Sequence, residues 1–571
     1  MGLVRLTVKR GLGVLILVGM AVYGNGLVNG FVGDDVTQVV NSIPIRTVAN
    51  IPSFFGGSTF YNGDRQQLAG IYYRPLMTTY FDLVYAAAGP NPVIFHLVQT
   101  GLFIANAGLV FWLFTQFFRK PLALGLAAIF LVHPMNSEAA VYISAVQETL
   151  FFFWGMLGLG LVVRKRRTRP AVIGGCILLS MLAKESGIVF AAAVMAYEWG
   201  FRRRERGEIT GAVLTAIAGY VWLRAGAVGW WVQPVSSPID KLDLGGRLLN
   251  GPAIIWFYIK TFLWPLNLAV VHRWTVTRVT AGNFWLPLAG DLAGMTAAGA
   301  GIWLSRRRQK YEDVYGFFAI LLATGMIIHL QIVPLDMTVA EQWGYVPMAG
   351  FLGMAGALWA GGMGKRAGKW GVVLAAVTVA ALGVRTIMRT GDWRDGYTLA
   401  THDLKAAPEA YDLENEVAYQ LLSRGQLQAA LVHAKKSVAL FPYVTNYNVL
   451  GLVYFGLGED NQAKAAYEQA LKWGDYYLVY EDMAALSLVR GADTGIDANF
   501  VRLALTKFPD DAKLWMILAM REEQDQATGE ARAAINRAAA LEPGAADVAA
   551  VRTMIEEGNP LQVDFNLGGI Y

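Results

Sequence analysis

Long apolar stretches separated by short basic clusters dominate the first two thirds of the chain. Predominantly apolar runs fall near 11–31, 93–118, 121–134, 140–163, 171–186, 187–201, 209–229, 285–305, 314–333, 345–362 and 370–388. A perpendicular membrane span needs about 20 such residues, so the shorter runs have soft boundaries. Between the runs lie Arg119 with Lys120; Arg164, Lys165, Arg166, Arg167 and Arg169; Arg202, Arg203, Arg204 and Arg206; Arg306, Arg307, Arg308 and Lys310; and Lys365, Arg366 and Lys369. Loops rich in Lys and Arg stay on the cytoplasmic side. Placing every cluster there predicts about eleven spans, a cytoplasmic N-terminus, and emergence of the chain on the outer side after Arg389. A further run at 247–268 would reverse that parity and is expected to be re-entrant or to lie on the outer surface. The opening Arg5, Lys9 and Arg10 with run 11–31 reads as an uncleaved first span, because no small-residue cleavage site follows.

From about Thr390 the long apolar runs stop. Residues 390–409 read as a linker. Residues 444–477 then place Tyr447, Leu450, Gly451, Tyr454, Ala463, Tyr467 and Ala470 at the large-small positions of a tetratricopeptide repeat, where small side chains let two antiparallel helices approach. The pattern recurs more weakly one period earlier, with Ala429 and the turn at Phe441–Pro442, and one period later with Ala504 and Pro509. A fourth copy supplies Trp515, Leu518, Ala519, Ala531, Ala538 and Pro543. Four repeats over 410–545 exceed the roughly three needed to bury a solenoid core. The expected fold is all-α: a polytopic membrane helical bundle over 1–389, a tetratricopeptide α-solenoid over 410–545, and a tail over 546–571 to which no role attaches.

Composition strengthens this reading. Of 571 residues, 55% are hydrophobic and 16% charged, against roughly 45–50% and roughly 25% in soluble globular proteins, which excludes a disordered chain or a wholly soluble enzyme. The one cysteine, Cys176, excludes an intramolecular disulfide and a zinc-cysteine cluster. The net charge of +5 arises from clusters assigned to the inner face without interleaved aromatics, so nucleic acid is not an expected partner. The 6 histidines include no His-x-x-x-His pair, no Gly-rich phosphate loop follows a strand, and no Asn-x-Ser/Thr sequon occurs. The last absence favours a bacterial or archaeal plasma membrane over the secretory pathway.

Ionisable residues gather at one set of run ends. Asp34 and Asp35 follow the first run, His133 the third with Glu138 beyond it, and Lys184-Glu185 the fifth, while Glu341, Trp343 and Tyr345 follow the ninth. Charged groups at the edge of hydrocarbon are costly and face a cavity or one another. All of these fall on the predicted outer side, as one outward-facing polar site would require. The competing reading of the Asp pair is a solvated helix cap.

The ordered segments GDDVTQVVNS at 33–42, YYRPLMTTYFDLVYAAAGPNPVIFHLVQTGLFIANA at 72–107 and HPMNSEAAVYISAVQETL at 133–150 carry a resemblance. It continues through LAKESGIVF at 182–190, WFYIKTFLWPLNLAVVHRW at 256–274, VAEQWGYVP at 339–347 and RTGDWRDGYTLATHDL at 389–404. In that order they resemble the GT-C integral membrane glycosyltransferases, above all the tetratricopeptide-repeat-containing transmembrane O-mannosyltransferase-like proteins and their bacterial relatives. The resemblance covers nearly the whole chain. It implies transfer of a sugar from a polyprenyl-phosphate carrier to an acceptor on the outer face. By family position Asp34 is the expected catalytic base, with Asp35 orienting it or, in some relatives, helping to bind a metal; a divalent Mg or Mn therefore stays open.

A leaving lipid phosphate needs cationic donors. Arg74, His133, Lys184, His272 and Arg273, with Glu185 beside them, are the expected donor-binding residues. Glu138, Gln147, Glu148, Glu341, Tyr345 and Trp393 are expected to line the site. Two positions depart from the bacterial pattern: Val146 and Gln342 stand where those relatives carry arginine. The expected partners are the polyprenyl-phosphate-linked sugar, membrane lipids, and an acceptor protein or glycan engaged by the repeats, in a multi-pass plasma-membrane protein with periplasmic repeats. Transfer to a glycolipid or surface polysaccharide, and a non-catalytic repeat scaffold, are the alternatives. A transporter is disfavoured because its path would need polar groups near the midplane as well.

Overall fold

Proline starts many of the helices. In the computed structural model, which describes residues 6–59, 72–164, 168–201, 206–230, 236–305, 309–490 and 496–558, six α-helices before Trp264 open with Pro in their first turn. The ring pre-sets the helical φ where the N–H lacks an intrahelical partner anyway. The basic residues Lys165, Arg166, Arg167, Arg202, Arg203, Arg204, Arg306, Arg307 and Arg308, and the tail from Asn559, lie outside the described residues.

The protein divides into two compact units that part between Pro408 and Glu409. In chain order the main helices of the first are α1 Val8–Tyr23, α2 Pro75–Ala88, α3 Pro92–Phe117, α4 Lys120–Val132, α5 Ser137–Val141 and α6 Val146–Val163. They continue with α7 Pro170–Ala183, α8 Ile188–Phe201, α9 Arg206–Val228, α10 Gly251–Leu263 and α11 Leu286–Ser305. The last are α12 Gln309–Ile327, α13 Tyr345–Leu358, α14 Gly364–Asp392 and α15 Gly396–Asp403. Among the described residues there is no β-strand; one isolated antiparallel bridge joins His272 to Val339.

Every expected apolar run is helical, but the runs are not equivalent. Five helices are long and apolar enough to cross a membrane: Val8–Val28, Pro92–Phe117, Ile143–Val163, Gly207–Val228 and Gly368–Asp392. A sixth crossing is available if α4 and Pro134–Val141, bent by 57° across His133, form one broken span. The other expected spans, α7, α8, α11, α12 and α13, are helices of 14 to 20 residues that do not reach that length and apolarity. The polar break Lys184–Gly187 separates α7 from α8. The run at 247–268 contains the 13-residue α10 and the end of a short helix, Leu244–Leu249.

Lipid-facing surface is visible as exposed apolar bulk. Leu17 on α1, Trp222 on α9, Met295 on α11 and Val372 on α14 are each at least two thirds exposed. A soluble protein does not present such a belt. Inside, a buried cluster joins Phe103, Phe111, Phe114, Phe130, Phe152, Phe318 and Tyr345. Small residues let the helices close on it. A side chain at Gly155 would collide with the ring of Phe190, and one at Gly350 with the backbone of Leu322. This is a multi-pass membrane unit.

The second unit is built of helix pairs: α16 Tyr411–Ser423 with α17 Leu427–Leu440, and α18 Val444–Gly456 with α19 Asp460–Leu471. The next are α20 Tyr477–Arg490 with α21 Ala498–Lys507, and α22 Ala512–Gln524 with α23 Thr528–Leu541; a single α24 Ala546–Glu557 follows. The large-small logic holds within a pair: a side chain at Gly451 would strike the fully buried ring of Tyr467. The period is also visible between pairs, because Asn448 donates to Asp482, 34 residues on, at 2.9 Å. The unit is a tetratricopeptide-type α-solenoid.

Candidate active site

The end of α1 and the end of α14 are tied together by backbone contacts, and this fixes where the Asp pair begins. Asn25 and Asn29 donate side-chain N–H groups to the carbonyls of Ile387 and Thr390 at 2.9 and 3.0 Å, and the Gly30 N–H reaches the Arg394 carbonyl at 3.1 Å. Gly33 then turns the chain with φ +52°, a conformation that costs other residues strain. A side chain there would also crowd the Tyr142 hydroxyl at 3.2 Å.

The two carboxylates that follow have opposite surroundings. Asp34 is exposed, and its N–H donates to the Tyr142 hydroxyl at 3.1 Å. Asp35 is wholly buried; one of its oxygens accepts the Ser144 N–H at 2.7 Å and the other the Val32 N–H at 3.1 Å. Burial pushes the Asp35 carboxyl up to about 7, against the opposing pull of those hydrogen bonds. Asp35 is thus the anchor of the loop, and Asp34 is the carboxylate left facing outward.

Two of the expected cations are each paired with a carboxylate. Arg74, the residue preceding α2, places its guanidinium over the Tyr72 ring at 4.3 Å and forks onto Glu185 at 3.0 and 2.5 Å. Its N–H donates to the Thr59 hydroxyl at 2.6 Å. Lys184 takes an extended backbone at the end of α7, and its ammonium pairs with Glu148 on α6. That pair helps to line a small cleft together with Phe151, Ile328, His329, Trp343 and Val346 among others.

A third group lies around the end of α14. Arg389, fully buried, forks onto Asp403 at 2.5 and 2.9 Å and stands over Trp393 at 5.5 Å. Asp403 also accepts the Val270 N–H at 2.8 Å. Trp393 packs against Tyr142 with ring centroids 5.2 Å apart, which connects this group to Asp34. Glu341 accepts the Ala269 N–H at 2.6 Å with His272 4.0 Å away, and Glu138 accepts the Gln342 N–H at 3.2 Å.

One segment threads all three groups. Glu138 lies in the first turn of α5, Tyr142 and Ser144 hold the Asp pair, and Glu148 holds Lys184, all within residues 138–148. The sequence reading singled out Glu138 and Glu148 but passed over Tyr142, Ser144, Arg389 and Asp403. The last two stand near the ends of the segment RTGDWRDGYTLATHDL, whose span from 389 to 404 was the available signal.

Several expected residues are engaged elsewhere. His133 uses one ring nitrogen on the Met135 N–H and the other on the Phe262 carbonyl, each at 3.3 Å, as a cap at the bend after α4. Tyr345 stacks among Phe103, Phe130 and Phe152 and accepts from Asn106 at 3.2 Å, which makes it a core residue. Gln147 is buried in the first turn of α6, and Arg273 is half-buried beside His272. Val146 belongs to an apolar cluster with Val39, Met77, Phe95 and Ile143. Asp35, the carboxylate left open as a metal ligand, has both oxygens on backbone N–H groups. Among the described residues no three His, Cys, Asp or Glu side chains converge as a metal-binding group. The arrangement does not fit a metal at Asp35.

No family model matches the chain. Over 79% of its length it is 22% identical to Protein O-mannosyl-transferase TMTC3 of Mus musculus, covering 54% of that protein. It is 22% identical over 70% of its length to Protein O-mannosyl-transferase F38B6.6 of Caenorhabditis elegans, covering 58% of that protein. A shorter stretch, 32% of the chain, is 30% identical to Protein O-mannosyl-transferase TMTC2 of Mus musculus, covering 23% of it. The chain thus spans about half the length of the curated relatives that it matches most extensively. The ordered motifs pointed to this same group of proteins.

Proposed function

We propose that the chain is an inverting glycosyltransferase that moves a sugar from a polyprenyl-phosphate carrier to a hydroxyl of a protein on the outer, periplasmic face of the plasma membrane. The observation that carries the reading is the unlike treatment of two neighbouring carboxylates: Asp35 is buried and held by Ser144 and Val32, while Asp34 is exposed. A base must reach its substrate, and a fixed neighbour holds it in place. The names of the relatives support protein as the acceptor.

The chemistry balances without a metal. The Asp34 carboxylate takes the proton of the acceptor hydroxyl as its oxygen attacks the anomeric carbon from the face opposite the phosphate. The bond from that carbon to the phosphate oxygen breaks, its electron pair stays on the phosphate, and the prenyl phosphate departs with one more negative charge. Lys184 and Arg74 are the cations that offset this charge. The repeat unit is the proposed acceptor-binding module, since stacked helix pairs present an extended concave surface to a polypeptide.

The test compares membranes holding equal amounts of the wild type or Asp34→Asn, with surface glycoproteins and lipid-linked sugars profiled by mass spectrometry. The reading expects one protein modification to vanish while its polyprenyl-linked sugar accumulates. Identical profiles would remove Asp34 as the base and favour a scaffold. Deleting residues 409–571 separates acceptors: loss of protein modification with glycolipid transfer intact supports repeat-guided protein transfer, and unchanged protein modification contradicts it.

A further inference from the structure

The Asp34 side chain is exposed, so the aim of its carboxylate depends on the backbone that carries it. One anchor of that backbone is Asp35, whose oxygens accept the N–H groups of Ser144 and Val32. The other is Tyr142, whose hydroxyl accepts the Asp34 N–H at 3.1 Å. The turn before Asp34 lies close to the same oxygen, since a side chain at Gly33 would come within 3.2 Å of it. A hydroxyl fixes a loop only if it is itself held in place.

Tyr142 is held through both its backbone and its ring. It is extended between α5 and the turn Ile143–Ala145, and its N–H donates to the Glu138 carbonyl at 2.9 Å. Its carbonyl accepts the Ala145 N–H at 3.0 Å and the Gln99 side-chain amide at 2.5 Å. Gln99, on α3, is wholly buried and also donates to the Ala139 carbonyl at 3.0 Å. The Tyr142 ring packs on Trp393 with the two planes tilted by 34°. Trp393 is 1% exposed, out of reach of a substrate, so it bears on the site through the residues it packs against. Backbone and ring are thus fixed without the hydroxyl, whose bond to Asp34 is a separate contribution. A tyrosine that served the core alone would do the same as a phenylalanine.

We infer that Tyr142 is a positioning residue for Asp34: held by Gln99 and Trp393, its hydroxyl fixes the backbone from which the Asp34 carboxylate reaches the acceptor hydroxyl. The inference rests on Asp34 being the base and deepens that reading by naming what aims it. Trp393 then stands behind Tyr142 rather than in the lining of the site. Loss of one hydrogen bond to an exposed loop leaves the fold intact, because water takes the place of the missing partner. The kinetic effect is larger, since a misplacement of about 1 Å at a reacting group can cost as much as about 10²-fold.

The experiment compares the full-length wild type with Tyr142→Phe, Asp34→Asn and the double variant. Hydrogen exchange of the stretch 32–36 in nanodiscs reads the bond itself, with no substrate present. In membranes, lipid-linked sugars extracted from cells expressing Asp34→Asn serve as the probe donor, and sugar passed to endogenous membrane protein gives kcat and donor KM relative to the wild type. Tyr142→Phe should exchange the Asp34 amide about fivefold faster, the equivalent of one neutral hydrogen bond. It should lower kcat about tenfold and leave donor KM within about twofold. Added to Asp34→Asn, it should cost less than about twofold more, because a residue that acts through the base has nothing left to aim. Unchanged exchange or unchanged kcat in Tyr142→Phe overturns the inference. So do losses that multiply in the double variant, or a loss confined to donor KM. Faster exchange in Tyr142→Phe with no sugar transferred by the wild type would sink the transferase reading and leave the contact standing. Asp34-dependent transfer that Tyr142→Phe performs at the wild-type rate would do the reverse.

Discussion

The carboxylate of Asp35 accepts the backbone N–H of Ser144, 109 residues away, at 2.7 Å, and this bond holds the loop that presents Asp34. Asp34→Asn is expected to lower transfer by about 10²–10⁴-fold, the usual contribution of a positioned base, with no change in melting temperature. Asp35→Asn turns an N–H donor toward one of two backbone N–H groups that need an acceptor. It should cost about 1–3 kcal/mol of stability and reduce transfer indirectly. Thermal unfolding of both purified variants beside an activity assay checks the contrast; equal melting temperatures would contradict the assignment of Asp35 as the anchor.

Arg389 and Asp403 form a buried ion pair with nothing exposed on either side chain. Removing one partner leaves the other charge buried with only its weaker neighbours, Asp392 at 3.6 Å for Arg389 and His402 for Asp403, so Arg389→Met or Asp403→Leu alone should each cost about 3 kcal/mol. The double variant should be more stable than either single one, because no isolated charge then stays buried. Arg389→Lys should behave like a loss, since a single ammonium cannot make the two-pronged contact. Melting temperatures of the four proteins in one detergent decide it.

Gly451→Ala places a methyl group where the Tyr467 ring lies, and that ring is fully buried. The overpacking should cost about 1–3 kcal/mol in the repeat unit. Combining it with Tyr467→Leu should recover part of the loss, as a branched aliphatic side chain leaves that space open. Hydrogen exchange in α18 and α19 of the full chain reads the effect locally.

Asp482 is buried beneath the Asn448 amide, and burial pushes its carboxyl up to about 7 despite the nearby Lys513. A folded-state value above the unfolded one means that the folded protein holds the proton more tightly. This group's contribution to stability is therefore fully present below about pH 4 and is lost as pH rises to about 7. Asp482→Asn keeps an acceptor for Asn448 and cannot ionise. It should exceed the wild type in stability of the repeat unit at pH 8, with the advantage shrinking toward pH 4. Exchange rates in α20 at the two pH values check it; a pH-independent difference would contradict the burial argument.

Each apolar run in the sequence became a helix because covering backbone polar groups in an apolar setting leaves few alternatives, and the repeat register followed from Gly451, Ala463 and Ala470. Where the helices break did not follow. Whether Lys184 to Gly187 lies inside one long helix or between two short ones depends on what those side chains can pair with, and Glu148 and Arg74 are distant in the chain.

The candidate site divides in the same way. Position at the ends of apolar runs singled out Asp34, Asp35 and Lys184, whereas Arg74 entered through the resemblance carried by the segment that contains it. His133 and Tyr345 were equally conspicuous and are engaged with the backbone and the aromatic core. Tyr142, Ser144, Arg389 and Asp403 lay inside the matched segments without standing out from their neighbours, and His329 lay outside them. The sequence by itself determined helix content, the membrane character of the first unit, the repeat period, and the presence of an acidic pair beside basic residues. Only the tertiary structure decided which carboxylate is buried and which exposed, which cations are already paired, and that His329 lies on Trp343 in the Lys184 cleft. Composition and periodicity report what a residue prefers on average, whereas hydrogen bonding and burial depend on partners brought from up to hundreds of residues away.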